Sequence, residues 1–154
     1  MSVGHLSAAT PNILVVIADD LGWGDVGYNG GVARTPHLDQ LRRDGLELNR
    51  FYANPTCSPN RASFLTGRAA LRLGMREPIG PTADGLALTE HLLAETFRAA
   101  DYQTALMGKW HLGSTNAERR PNARGFDHYY GFLGGERELQ LSPGEWTAGL
   151  AAQW

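Results

Sequence analysis

At 154 residues, 42% hydrophobic and 19% charged, the chain has the length and balance of one globular domain with a core of its own. A formal net charge of −2, with tight basic pairs only at Arg42-Arg43 and Arg119-Arg120, excludes a nucleic-acid footprint. No apolar run reaches the length of a membrane span, and the opening MSVGHLSAATPN lacks the basic and apolar regions of a secretory leader. For a complete chain this reads as cytoplasmic. The single cysteine, Cys57, cannot close an internal disulfide and leaves the redox compartment open.

In chain order, NILVVIA (Asn12–Ala18) is a continuous apolar, β-branched run, the pattern of a strand buried on both faces. It stops at Asp19-Asp20, and LGWGDVGYNGG supplies a glycine-rich loop. TPHLDQLRRDG predicts a short helix with Thr35 as N-cap, Pro36 at N1 and Gly45 past its end. LELNRFYA predicts a second strand. SPNRASFLTG opens a helix with Cys57 or Ser58 near the N-cap and Pro59 at N1. LTEHLLAETFRAAD is the clearest amphipathic helix, with Leu88, Leu92, Leu93, Phe97 and Ala100 on one face. YQTALMG predicts a third strand, ending at KWHLG. GFDHYYGFLGG is aromatic and glycine-rich, and the stretch from Glu136 to Trp154 predicts no element. Strands alternating with helices predict an α/β layer around a mostly parallel sheet.

Three polar clusters follow the three predicted strands, where open α/β sheets place their ligand crevice. Asp19-Asp20 offers adjacent carboxylates, which repel unless a cation or hydrogen bonds take up the charge; hard oxygen donors suit calcium or magnesium. Taken alone, such a pair is more often an acidic turn. Cys57 precedes a helix start, whose N–H groups and dipole favour an anion or a thiolate. By itself a lone cysteine is more often a small buried hydrophobe. Arg61 lies one turn further along the same face. Lys109 and His111, two apart, point the same way in an extended segment. A cation beside an imidazole suits an oxyanion and a leaving group in need of a proton. The spacing of His37, His91 and His128 is not that of a metal site, and the chain carries no phosphate loop, dinucleotide fingerprint or G-x-S-x-G elbow.

Taken in order, PNILVVIADDLGWGDVGYNGG, TPHLDQLRRDG, FYANPTCSPNRASFLTGR and ALMGKWHLG resemble the N-terminal part of the type I sulfatases, the arylsulfatases of the alkaline phosphatase-like superfamily. The resemblance runs from about Pro11 to Gly135, and CSPNR matches the C-x-P-x-R signature. It implies a tail at 1–10, the N-terminal part of a sulfatase catalytic domain at 11–135 and an unassigned tail at 136–154. It implies a truncated sulfatase sandwich, and a sulfuric ester hydrolase whose Cys57 is oxidised to formylglycine by a formylglycine-generating or other sulfatase-maturing enzyme. Pro59 and Arg61 belong to the signature that enzyme reads. A hydrated aldehyde carries two hydroxyls on one carbon, one to attack sulfur and one to expel sulfate afterwards, whereas a sulfated serine would stall.

Residue by residue, the resemblance makes Asp19, Asp20 and the residue at 57 calcium contacts, with magnesium the poorer fit. Arg61 would hold the gem-diol, Lys109 would bind the sulfate oxygens, and His111 would assist elimination. The family's domain is longer and draws a histidine, an Asp-Asn pair and a second lysine from later strands. This sequence has no Asp-Asn dipeptide, and Lys109 is its one lysine. Two other readings stand beside the sulfatase: a phosphate or phosphonate ester hydrolase of the same superfamily, and a non-catalytic remnant or binding module. No membrane or nucleic-acid partner is expected.

Overall fold

The computed structural model describes residues 10–135, so the expectations for 1–9 and 136–154 lie outside the described residues. The chain divides into two compact units, Met1–Leu46 and Glu47–Trp154.

In the N-terminal unit, two 3-10 turns, Trp23–Asp25 and Gly27–Asn29, lead to helix α1, Pro36–Asp44. The bounds of α1 follow the sequence signals: Pro36 fits the first turn, and the Gly45 N–H closes on the Leu41 carbonyl. The Thr35 hydroxyl accepts from the Gly27 N–H and donates to Asp39, both at 2.8 Å, fastening the turn to the helix start. Arg42 lies over the Tyr28 ring at 5.2 Å. Apolar burial is slight here. Val26 is the one buried hydrophobic residue of this unit among those described.

The strand expected at Asn12–Ala18 does not form, because no strand among the described residues pairs with it. The second expected strand, in LELNRFYA, is also absent. A turn at Asn49-Arg50, in which the Phe51 N–H bonds back to the Leu48 carbonyl, interrupts it.

The C-terminal unit holds the core. Helix α2, Cys57–Thr66, begins two residues earlier than the proline signal suggested, with Thr56 as N-cap and Pro59 third in the helix. Its buried face is Ser58, Arg61, Ala62 and Leu65, at helical spacing. Gly67, at φ 66°, ends it with its N–H on the Ser63 carbonyl. Helix α3 is shorter than its apolar pattern and runs Leu93–Ala99. Leu92 stays extended as N-cap and donates its N–H to Glu95 (2.6 Å), while Leu88 and Ala100 fall outside the helix. Of the expected face Leu92 enters the core, and Ala94 joins it from the helix.

Strand β1, Ala105–Lys109, lies within and just past the third predicted run, and strand β2, His128–Phe132, falls in the aromatic, glycine-rich stretch. They pair in parallel, Ala105 with His128 through Lys109 with Phe132. Parallel neighbours need a crossover, here carried by 3-10 turns at Ala117–Arg119 and Pro121–Arg124. The entry to the pair is locked: the Asp127 carboxylate accepts from the Thr104 N–H (2.9 Å), and the Thr104 hydroxyl accepts from the Asp127 N–H (3.1 Å). The small parallel sheet with its helices is the α/β class expected, in partial form.

Around this pair cluster Ala62, Leu65, Ala70, Met75, Leu86, Leu92, Ala94, Trp110, Leu112 and Phe126. Trp110 is fully buried, edge-on to Phe126, and its indole N–H is shared by the Gly113 and Arg119 carbonyls at 2.9 Å each. Where segment 84–86 crosses 112–113, the Leu86 N–H donates to the Leu112 carbonyl (3.0 Å). Gly85 and Gly113 face this crossing with φ of 73° and 121°. A Cβ on Gly85 would land on the Leu112 carbonyl, and one on Gly113 would land on that of Asp84.

Candidate active site

Helix α2 and the end of β1 bring four of the six sequence-selected residues into the C-terminal unit. Cys57 is the first residue of α2 and partly exposed. The first helical hydrogen bond runs from Asn60 N–H to the Thr56 carbonyl, so the first-turn N–H groups have no helical acceptor. This places positive potential at residue 57. The approach to the helix is fixed by Asn54, whose N–H donates to Asn60 Oδ1 (3.1 Å) and whose amide donates to Ser63 Oγ (3.0 Å).

His111 is 5% exposed, and its Nδ1 lies 3.2 Å from Cys57 Sγ. Its Nε2 lies 3.0 Å from the Ile79 carbonyl. A carbonyl only accepts, so Nε2 carries a proton, and in the neutral ring Nδ1 then presents a lone pair to the thiol. Strand alternation does not set this direction. β1 ends at Lys109, and His111 turns into the left-handed region at φ 54°. That conformation costs about 1–2 kcal/mol for a residue with a side chain. It is held by the His111 N–H on the Leu133 carbonyl (3.0 Å) and by both ring nitrogens.

Arg61 is buried, and its guanidinium donates to the carbonyls of Trp110 (Nε, 2.8 Å) and Lys109. It thereby straps α2 to the end of β1 and sets the distance between residue 57 and His111. Lys109 is half-buried at the strand end. The Tyr129 phenol is pushed up to about 12, chiefly by burial, with the Arg61 charge acting the other way. It therefore stays neutral and leaves the guanidinium's charge in place.

Asp19 and Asp20 belong to the N-terminal unit, are exposed, and end the apolar run; Asp20 takes a left-handed φ of 59°. Among the described residues no group of three or more His, Cys, Asp or Glu gathers as a metal site. Calcium takes six to eight oxygens. The described residues therefore do not by themselves form a calcium shell. No helix among them is long and apolar enough to cross a membrane.

Three participants escaped the sequence reading. Ser58, inside the signature, is fully buried and accepts from the Ile79 N–H at 3.2 Å. Ile79 contributes only main-chain groups, which leave no mark on residue type. Gly135 lies against the imidazole: a Cβ there would sit 2.5 Å from the His111 Cε1.

A thiol at a helix start facing a buried imidazole, beside a parallel strand pair, is an arrangement that an α/β protein can use to set a nucleophile against a base. The chain belongs to the sulfatase family: residues 11–148 match the family described as Sulfatase. It is 45% identical over 131 residues to arylsulfatase G of Mus musculus, covering 83% of this chain and 25% of that protein. It is 40% identical over 144 residues to N-acetylgalactosamine-6-sulfatase of Mus musculus, covering 84% and 28%. Among solved structures it resembles the PsFucS1 sulfatase from Pseudoalteromonas sp., with a TM-score of 0.73 and 38% identity over 82% of this chain and 26% of that one. The chain thus spans about a quarter of the length of these relatives.

Proposed function

We propose that this chain carries the nucleophile-bearing part of a sulfuric ester hydrolase, with Cys57 as the precursor of formylglycine. The observation that carries the reading is the 3.2 Å approach of His111 Nδ1 to Cys57 Sγ, with Nε2 committed to the Ile79 carbonyl. Cys57 suits the modification because its thiol is reachable at a helix start while its neighbours Ser58 and Pro59 are buried. Formylglycine, once formed, supplies a hydrated aldehyde whose two hydroxyls serve attack on sulfur and later expulsion of sulfate.

The chain's own residues do the rest. His111 Nδ1 takes the proton from a hydroxyl on residue 57, because it is the basic nitrogen aimed at that side chain. The N-terminus of α2 and Lys109 favour the anionic sulfate group over water. Arg61 keeps helix and strand end in register through the Lys109 and Trp110 carbonyls. Asp19 and Asp20 are proposed as two carboxylate donors to a calcium ion, and no step here runs through it. The domain bounds proposed from the resemblance, 11–135, stand on the same footing.

The test is peptide-mapping mass spectrometry of the protein from its native cells, with paired aryl sulfate and phosphonate monoester assays. Formylglycine at 57 and faster turnover of the sulfate are expected. His111→Ala should lower that turnover by about 10²–10⁴-fold. An unmodified Cys57 without hydrolysis would leave the non-catalytic reading, and faster turnover of the phosphonate would leave the phosphonate hydrolase. Calcium titration of the same protein tests the two aspartates: Asp19→Asn should weaken stoichiometric binding.

A further inference from the structure

We propose that Ser58 is a positioning residue for His111, acting through the main chain of Ile79. The inference rests on the role of His111 given above and adds the device that fixes its ring.

Residue 79 lies in a segment without helix or strand, so no ladder sets the placement of its peptide groups. Both its main-chain groups are nonetheless used. The Ile79 N–H donates to Ser58 Oγ at 3.2 Å, and the Ile79 carbonyl accepts from His111 Nε2 at 3.0 Å. Ser58 follows Cys57 directly, on the first turn of α2, and is fully buried. The contacts therefore form a closed circuit: Cys57 to Ser58 through the chain, Ser58 to Ile79, Ile79 to His111, and His111 Nδ1 back to Cys57 Sγ at 3.2 Å.

A circuit of this kind selects one state of the ring. An imidazole in water exchanges between two neutral tautomers, and only the one protonated on Nε2 leaves Nδ1 able to accept from residue 57. The Ile79 carbonyl selects that tautomer. Ser58 holds the carbonyl by anchoring the N–H of the same residue. Without the hydroxyl, the Ile79 N–H loses its acceptor and the segment is free to shift. Gly135 bounds the ring elsewhere, since a Cβ would sit 2.5 Å from Cε1 and 2.7 Å from Nε2. Ser58 stands at an unspecified position of the C-x-P-x-R signature and shares one helix turn with Cys57, so residue 57 and the imidazole are held by one circuit.

The experiment is long-range proton–nitrogen correlation NMR of the His111 ring in the full, unmodified chain, beside the alkylation rate of the Cys57 thiol by iodoacetamide. In the unsubstituted protein the ring should be neutral with the proton on Nε2. Ser58→Ala should give a tautomer mixture and slow alkylation by roughly five- to tenfold, the scale of one hydrogen bond. Ser58→Thr, which restores the hydroxyl, should return both readouts toward the original. Gly135→Ala, remote from Ser58 in sequence, should disturb the ring signals as well, which covers the case in which Ser58→Ala fails to fold. A ring protonated on Nδ1 in the unsubstituted chain would overturn the proposal, as would a Ser58→Ala protein with unchanged tautomer and alkylation. Neither readout requires formylglycine or ester turnover, so failure of the sulfatase reading would show separately, as absent hydrolysis with the tether intact.

Discussion

Residues 12–18 and 105–109 are both short apolar runs that end on charged side chains, yet only the second is a strand. In the first, exposure alternates: 51% at Ile13, 88% at Leu14, 48% at Val15, 81% at Val16 and 38% at Ile17. That is the period of a strand without a ladder. β1 has a parallel partner, a lock at its entry between Thr104 and Asp127, and Trp110 buried just past its end. The difference teaches that apolar patterning reports what a segment can bury, while the partner decides whether it does. It also separates a unit held by hydrogen-bonded turns from one held by a core.

Substitutions in the two regions should therefore differ in scale. The largest loss is expected for Trp110→Ala, which removes a fully buried ring and two carbonyl partners. About 3–5 kcal/mol should disappear from the stability of the C-terminal unit in urea titrations. Arg61→Met leaves the Lys109 and Trp110 carbonyls without their donor. About 2–4 kcal/mol should be lost by the same measurement, and an unchanged midpoint would mean that the strap carries no load.

Acidification sharpens the contrast further. The Thr104 N–H, aided by the Thr104 hydroxyl, holds the Asp127 carboxyl below the usual carboxylate range. A carboxylate lowered in the folded state adds stability above its unfolded pKa and gives it up as pH falls through the folded value. Urea midpoints should thus decline below a pH of about 4, and Asp127→Asn should reduce that decline. The smallest effect belongs to the unpaired run, where Leu14→Lys should change stability by less than about 0.5 kcal/mol. A larger loss would show that this segment is buried in solution.

Much of the helical structure was legible. Pro36 and Gly45 bound α1, because their effects are local to the chain. The sequence pattern makes α3 longer than it is, since Leu88 satisfies a helical period from a turn and Leu92 from an extended backbone. β2 went unread because His-Tyr-Tyr-Gly-Phe has no clean alternation, and its pairing with β1 is set across a crossover. Cys57, Arg61, Lys109 and His111 stood out as residue types around a signature. Their geometry did not, because it depends on the left-handed turn at His111 and on carbonyls that every residue possesses. Asp19 and Asp20 were visible as a pair, but a pair of carboxylates names no ligand shell.

The crossing of Gly85 and Gly113 has a consequence for the history of the sequence. Most tight contacts between side chains can be relieved by a second change nearby, so such positions drift together. Here the obstacle to a side chain is a carbonyl of the opposite main chain, which no substitution removes. Neither glycine has a compensating partner. The crossing is a point at which descent can preserve or abandon the arrangement but cannot rework it.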